Sequence, residues 1–161
     1  MKNWREESTT DEATIRLWWG KWPDANIGID TGKSGLLVLD ADAYKDAYAG
    51  ASLLSETDEQ TPTVLTGGGG QHLYYRLPPG KAWGNATGTL PAGIDIRGAG
   101  GFVVAPGSLH ASGRRYAWEI DYGIDDLPLA DAPTWLADIL DGAAKRCSFT
   151  TGRRWDGSSA R

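Results

Sequence analysis

The apolar run Leu36-Leu37-Val38-Leu39 follows Gly35 and leads straight into Asp40-Ala41-Asp42. An apolar run this short, opened by glycine, predicts a buried strand. Upstream, Thr10-Asp11-Glu12-Ala13 precedes Ile15, Leu17, Trp18 and Trp19, the pattern of a capped amphipathic helix ending near Gly20. Trp22 to Asn26 reads as a turn, Ile27-Gly28-Ile29 as a short strand and Asp30 to Gly35 as a Gly-rich loop. Residues Ala43 to Thr57 are rich in Ala and Leu and predict a helix. Short strands are expected at Thr63–Thr66, Leu73–Leu77, Ile94–Gly98, Phe102–Ala105 and Tyr116–Glu119, punctuated by Gly and Pro turns. Pro133 to Lys145 predicts a last helix, with Trp135, Ile139 and Leu140 on one face. Helix, two strands, helix and then hairpin-linked strands make an α+β pattern, not repeated βαβ units.

Composition narrows the class. The 161 residues are 40% hydrophobic and 23% charged, which suits one folded domain. The expected core is residues 1–145, with 146–161 a polar tail or the start of a linker. Cys147 is alone, so an intrachain disulfide and a cysteine-rich zinc site are excluded. The N-terminus is polar, and no apolar run approaches the ~20 residues that span a bilayer. A cytoplasmic protein without a membrane partner is expected.

The net charge of −5 is not the usual footprint of a nucleic-acid binder, but it hides a pattern. Residues 1–60 carry 6 bases and 12 acids, and residues 118–141 carry seven acids and no base. Residues 61–117 carry five bases against the single acid Asp95, and residues 142–161 five bases against one acid. Locally positive potential in the second block is compatible with the negative total. DNA binding is then expected to be weak, with a shallow salt dependence.

Three segments look like site-builders. Asp40 and Asp42, two apart on a strand, project to one face, and paired carboxylates repel without a cation between them. Such oxygens suit Mg²⁺ or Mn²⁺ beside phosphates; the plain alternative is a strand ending in two solvated acids. Gly67 to Gly70, followed by Gln71-His72, offers backbone N–H groups to an anion and an imidazole to a phosphate. Four glycines that pack nothing would lose chain entropy without return. Asp95, between Ile94 and Ile96, either faces water or has a partner; as a third carboxylate it would complete a two-metal site.

The hydrophobic run into Asp40-Ala-Asp42, Gly70-Gln71-His72 and Ile94-Asp95 resemble the three motifs of the archaeo-eukaryotic primase superfamily. Trp18-Trp19, Trp22 to Gly28, Thr31 to Leu36 and the block Asp95 to His110 resemble its bifunctional primase/polymerase (prim-pol) branch, found in mobile elements and phages. The resemblance covers roughly residues 9–119. It implies a primase-type catalytic core, an RRM-like sheet joined to a second small α/β unit. It implies Asp40, Asp42 and Asp95 as catalytic ligands of two divalent cations. His72 would contact the nucleotide's phosphates, with Gly70 beside it. Arg97, Ser108 and His110 fall in the block that lines the nucleotide site, and Lys33 could meet phosphate or template.

The implied activity is template-directed nucleotidyl transfer from nucleoside triphosphates, on a single-stranded DNA template and primer. A helicase or a helical primase domain is the expected companion. The helical domain of the family is absent here or reduced to residues 131–161, so extension is expected to exceed initiation. Gly107 replaces the second proline of the usual Ala-Pro-Pro-Ser. Two rivals use the same residues: a metal-dependent nuclease or phosphodiesterase, and a non-catalytic nucleotide- or DNA-binding module.

Overall fold

A computed structural model describes residues 3–42, 60–86, 90 and 93–151. Three helices and eight strands run through these residues. Helix α1 spans Trp4–Glu7, α2 Glu12–Lys21 and α3 Thr134–Thr151. The strands are β1 Gly28–Asp30, β2 Leu36–Ala41, β3 Thr63–Leu65, β4 Gln71–Arg76, β5 Ile94–Arg97, β6 Phe102–Val104, β7 Ala117–Trp118 and β8 Ala130–Asp131. The helix expected at 43–57 and the end of the expected tail lie outside the described residues.

Six strands form one sheet in the order β5-β2-β4-β3-β7, with β8 also on β4. All pairs are antiparallel except β4 with β8. Strands β1 and β6 form a second, two-stranded antiparallel sheet.

Central position explains why β2 is apolar on both faces. Leu37, Val38 and Leu39 are 0% exposed. Alternation along the strand sorts them into two cores. Leu37, Leu39 and Ala41 face Leu73, Tyr75, Ile94 and Ile96, and α3 closes this layer with Leu136 and Leu140. Leu36 and Val38 face the other way, with Val64 and Tyr74, against Val103 of the small sheet. Ile29 of β1 packs on the same cluster. Each side chain buried this fully contributes about 1.5–3 kcal/mol.

Strand β4 changes partner midway. Its first half pairs with β3, while Tyr75 and Arg76 pair with β8. Thr61, 2% exposed, bridges the change. Its hydroxyl donates to the Tyr74 carbonyl and accepts from the Ala130 N–H at 3.2 Å. The side chain thereby replaces a rung of the ladder that neither strand supplies.

Several elements differ from the sequence reading. Strand β4 begins at Gln71 rather than Leu73, so His72 is itself a strand residue. Strand β8 and helix α1 were not expected, and both are too short to show periodicity. Helix α3 continues past Lys145 to Thr151. Among its residues with described side chains, Leu136 and Leu140, one turn apart, lie deepest, with Trp135 and Ile139 packed at the flank. Helix α2 is capped as expected: Asp11 accepts the Thr14 N–H at 2.7 Å. None of its residues is buried, however, and Leu17 remains 74% exposed.

Leu136→Ala should lower unfolding free energy by about 2–5 kcal/mol, because α3 leaves a void it cannot close. Leu17→Ala should change it by under about 0.5 kcal/mol. Chemical denaturation of both variants checks this, and equal effects would contradict the packing.

Candidate active site

Register builds the site. Asp40 of β2 lies directly opposite His72 on β4 and Asp95 on β5. Residues opposed across an antiparallel pair share a face, so three strands present Asp95, Asp40 and His72 in one row. Arg97, two residues beyond Asp95, points to the same face opposite Val38. Asp42 follows the end of β2, and its N–H donates to the Gly93 carbonyl at 2.7 Å.

The row is closely coupled. His72 Nε2 lies 3.4 Å from Asp40 Oδ1. Arg97 Nη2 lies 3.4 Å from Asp40 Oδ2 and 3.2 Å from Asp95 Oδ2. One guanidinium nitrogen thus serves two carboxylates. His72 Nδ1 is buried without a hydrogen-bond partner among the described residues. Rings continue the row: Tyr116 lies 5.8 Å from His72, centroid to centroid, and His110 5.9 Å from Tyr116.

Burial and charge act in opposite senses on Asp40. Burial pushes its carboxyl up, but the hydrogen bond and charge of His72, with those of Arg97, hold it below its ordinary 3.8. Burial, then the charge of Asp40, drives the Tyr74 phenol well above its usual range. Tyr116 is raised by burial and by the charges of Asp40 and Asp42, so both carboxylates are felt at its phenol.

A cleft of about 300 Å³ opens over the Asp40–His72 end of the row, and Asp95 and Asp42 lie outside its lining. Asp40, His72, Arg97, Asn85 and Tyr116 line it, and residues 102–104 of β6 form its other wall. The small sheet therefore roofs the acidic end of β2. Asn85 and Tyr116 were not singled out in the sequence. The Asn85 Oδ1 accepts the Gly98 N–H at 3.2 Å, a contact across 13 residues that no local pattern announces.

Other expected residues lie outside the cleft lining. Lys33 caps the end of α1, its Nζ donating to the carbonyls of Glu6 at 3.3 Å and Ser8 at 3.0 Å. Ser108 is 4% exposed, and its hydroxyl accepts the Ile27 N–H at 3.1 Å. Beside it, the Asn26 amide both donates to the Leu109 carbonyl and accepts from its N–H, each at 2.8 Å. These contacts tie β1 to the loop after β6. His110 stands over the glycine turn, with Nδ1 accepting the Ser112 N–H at 3.1 Å.

The glycine run has a packing role that the sequence did not suggest. A Cβ on Gly67 would sit 2.2 Å from the His110 Cβ, and one on Gly70 would sit 2.1 Å from the Ala41 carbonyl oxygen. The Gly69 N–H donates to the Thr66 carbonyl, and the Gly70 N–H to the Thr66 hydroxyl, both at 2.9 Å. Two of the four N–H groups thus close the β3–β4 turn. The glycines let that turn press against the end of β2.

The donor chemistry fits a hard divalent cation. Asp40 and Asp95 offer carboxylate oxygens from adjacent strands, and both already reach one cationic nitrogen. Among the described residues, no group of three or more His, Cys, Asp or Glu side chains is gathered as a metal cluster. Asp40 and Asp95 are brought together, but the expected third carboxylate, Asp42, follows the end of β2 and is not gathered with them. Among the described residues, no helix is long and apolar enough to cross a membrane.

The α+β core carries paired carboxylates, a histidine and an arginine at a roofed cleft, and the family that its sequence matches is one of nucleotidyltransferase-type enzymes. Residues 1–135 match the family model of the bifunctional DNA primase/polymerase N-terminal domain, Prim-Pol, and the chain belongs to that family. Its fold is accordingly the primase-type core. No curated protein matches the chain.

Gly70→Ala should force β4 away from β2 and lower stability by about 1–3 kcal/mol. Gly68→Ala meets nothing closer than 3.7 Å and serves as the control. Thermal unfolding checks the pair; equal stability of the two variants would contradict the close approach.

Proposed function

We propose that this chain catalyses template-directed nucleotidyl transfer from nucleoside triphosphates to a primer 3′-hydroxyl, in the replication of a mobile element or phage. The observation that carries the reading is the Asp95–Asp40–His72 row under its cleft. In the reaction, the 3′-hydroxyl gives up its proton to solvent, its oxygen bonds to the α-phosphorus, the bond from that phosphorus to the bridging oxygen breaks, and pyrophosphate leaves.

Asp40 and Asp95, with Asp42, would hold Mg²⁺ or Mn²⁺, which when bound acidifies the hydroxyl and neutralises phosphate charge. The chain's own groups do the rest. His72 and Arg97 hold the Asp40 carboxyl below its ordinary range against the effect of burial, which favours the ionised form that a cation would need. His72 and Arg97 place positive or hydrogen-bonding groups where the triphosphate's charge would lie. Val103 and Val104 give the roof an apolar lining that limits water. Single-stranded DNA would supply template and primer.

Primer extension with labelled triphosphates and Mg²⁺ or Mn²⁺ tests this directly. Asp40→Asn or Asp95→Asn should reduce extension at least about 100-fold, since bound cations contribute several kcal/mol. His72→Ala should raise the nucleotide KM about 10-fold or more, the cost of losing a hydrogen bond to a charged group. Hydrolysis of DNA by the same acids, with no triphosphate-dependent extension, would assign the site to a nuclease instead.

A further inference from the structure

Asp40 and Asp95 stand opposite each other on neighbouring strands, with side chains only 14% and 10% exposed. Like charges placed so are destabilising, and water screens them poorly. Arg97 resolves this. It rises from the same strand as Asp95, and its Nη2 reaches both Oδ2 atoms. The Oδ1 of Asp40 faces His72, so the two oxygens of Asp40 are divided between an imidazole and a guanidinium.

The arginine is held loosely. Its contacts of 3.4 and 3.2 Å exceed the ~2.7–2.9 Å of a tight charge-assisted hydrogen bond. Its side chain is 30% exposed and lines the cleft. A divalent cation held by Asp40 and Asp95 would stand beside the Arg97 guanidinium at the same carboxylates, and the two positive charges would repel. Arginine keeps its charge at any working pH, so protonation cannot release it. A different anion in the cleft can.

We propose that Arg97 is the internal counter-ion of the Asp40–Asp95 pair, competing with a divalent cation for these carboxylates and yielding when a triphosphate offers it another anion. Metal and nucleotide would then bind with reciprocal positive coupling through one side chain. The competition rests on the metal-dependent reading above; the counter-ion role does not.

Two measurements on the full chain separate them. The first is thermal unfolding in EDTA of wild type, Arg97→Met, Asp95→Asn and the double variant. Asp95→Asn should lower the midpoint in wild type, where it breaks an ion pair. It should raise the midpoint in the Arg97→Met background, where it removes a repulsion. The same sign in both backgrounds overturns the counter-ion role.

The second is Mn²⁺ titration by electron paramagnetic resonance without nucleotide. Arg97→Met should bind Mn²⁺ about tenfold tighter than wild type. Unchanged or weaker binding overturns the competition. Binding to neither protein overturns the competition together with the metal reading, while the unfolding arm still decides the counter-ion role. Arg97→Gln, shorter but able to hydrogen-bond, carries the same expectations should Arg97→Met not fold.

Discussion

Two carboxylates held face to face on adjacent strands are the constraint around which this site is arranged. The register of β2 against β5 sets Asp40 against Asp95, and the register against β4 sets it against His72. Neither pairing can slip. A shift by one residue would turn Leu39 and Leu37 toward the cleft and the acids into the α3 layer. The same alternation that fills two cores thus fixes where the charges go. A cation must then stand beside the acids, and Arg97 does so, with the His72 imidazole on the other side of Asp40.

The surrounding elements protect that register. Gly70 lets β4 approach the end of β2, where any side chain would meet the Ala41 carbonyl. Thr61 mends the ladder where β4 changes partner. Ser108 and Asn26 anchor the small sheet, whose Val103 packs on Val38 and Tyr74 directly behind the row. Stability and function are therefore difficult to separate here. A substitution that moves β6 changes the roof of the cleft, and one that moves β4 changes the distance from His72 to Asp40.

Much of this was legible in the sequence, for local reasons. The apolar run before Asp40, the Ile-flanked Asp95 and the Leu73–Leu77 run that stops at Pro78-Pro79-Gly80 each carry their own signal within a few residues. So did the cap of α2 at Asp11. What was not legible depends on partners distant in the chain. Arg97 was expected near phosphate, and nothing local says that it spans two carboxylates, one of them 57 residues away. Lys33 sits in a Gly-rich loop and was expected to meet phosphate or template, yet its ammonium closes helix α1. The four glycines read as an anion cradle, because the packing of His110 and Ala41 against them is invisible in one dimension. Asn85 carries no pattern at all.

The central claim is that the Asp40–Asp95 pair is a cation site, shared between Arg97 and a divalent metal. Anomalous diffraction from crystals grown with Mn²⁺ and a non-hydrolysable triphosphate tests it most directly. The account predicts an anomalous peak bonded to both Asp40 and Asp95, with the Arg97 guanidinium turned onto the phosphates. A peak elsewhere, with Arg97 still between the two carboxylates, would contradict it.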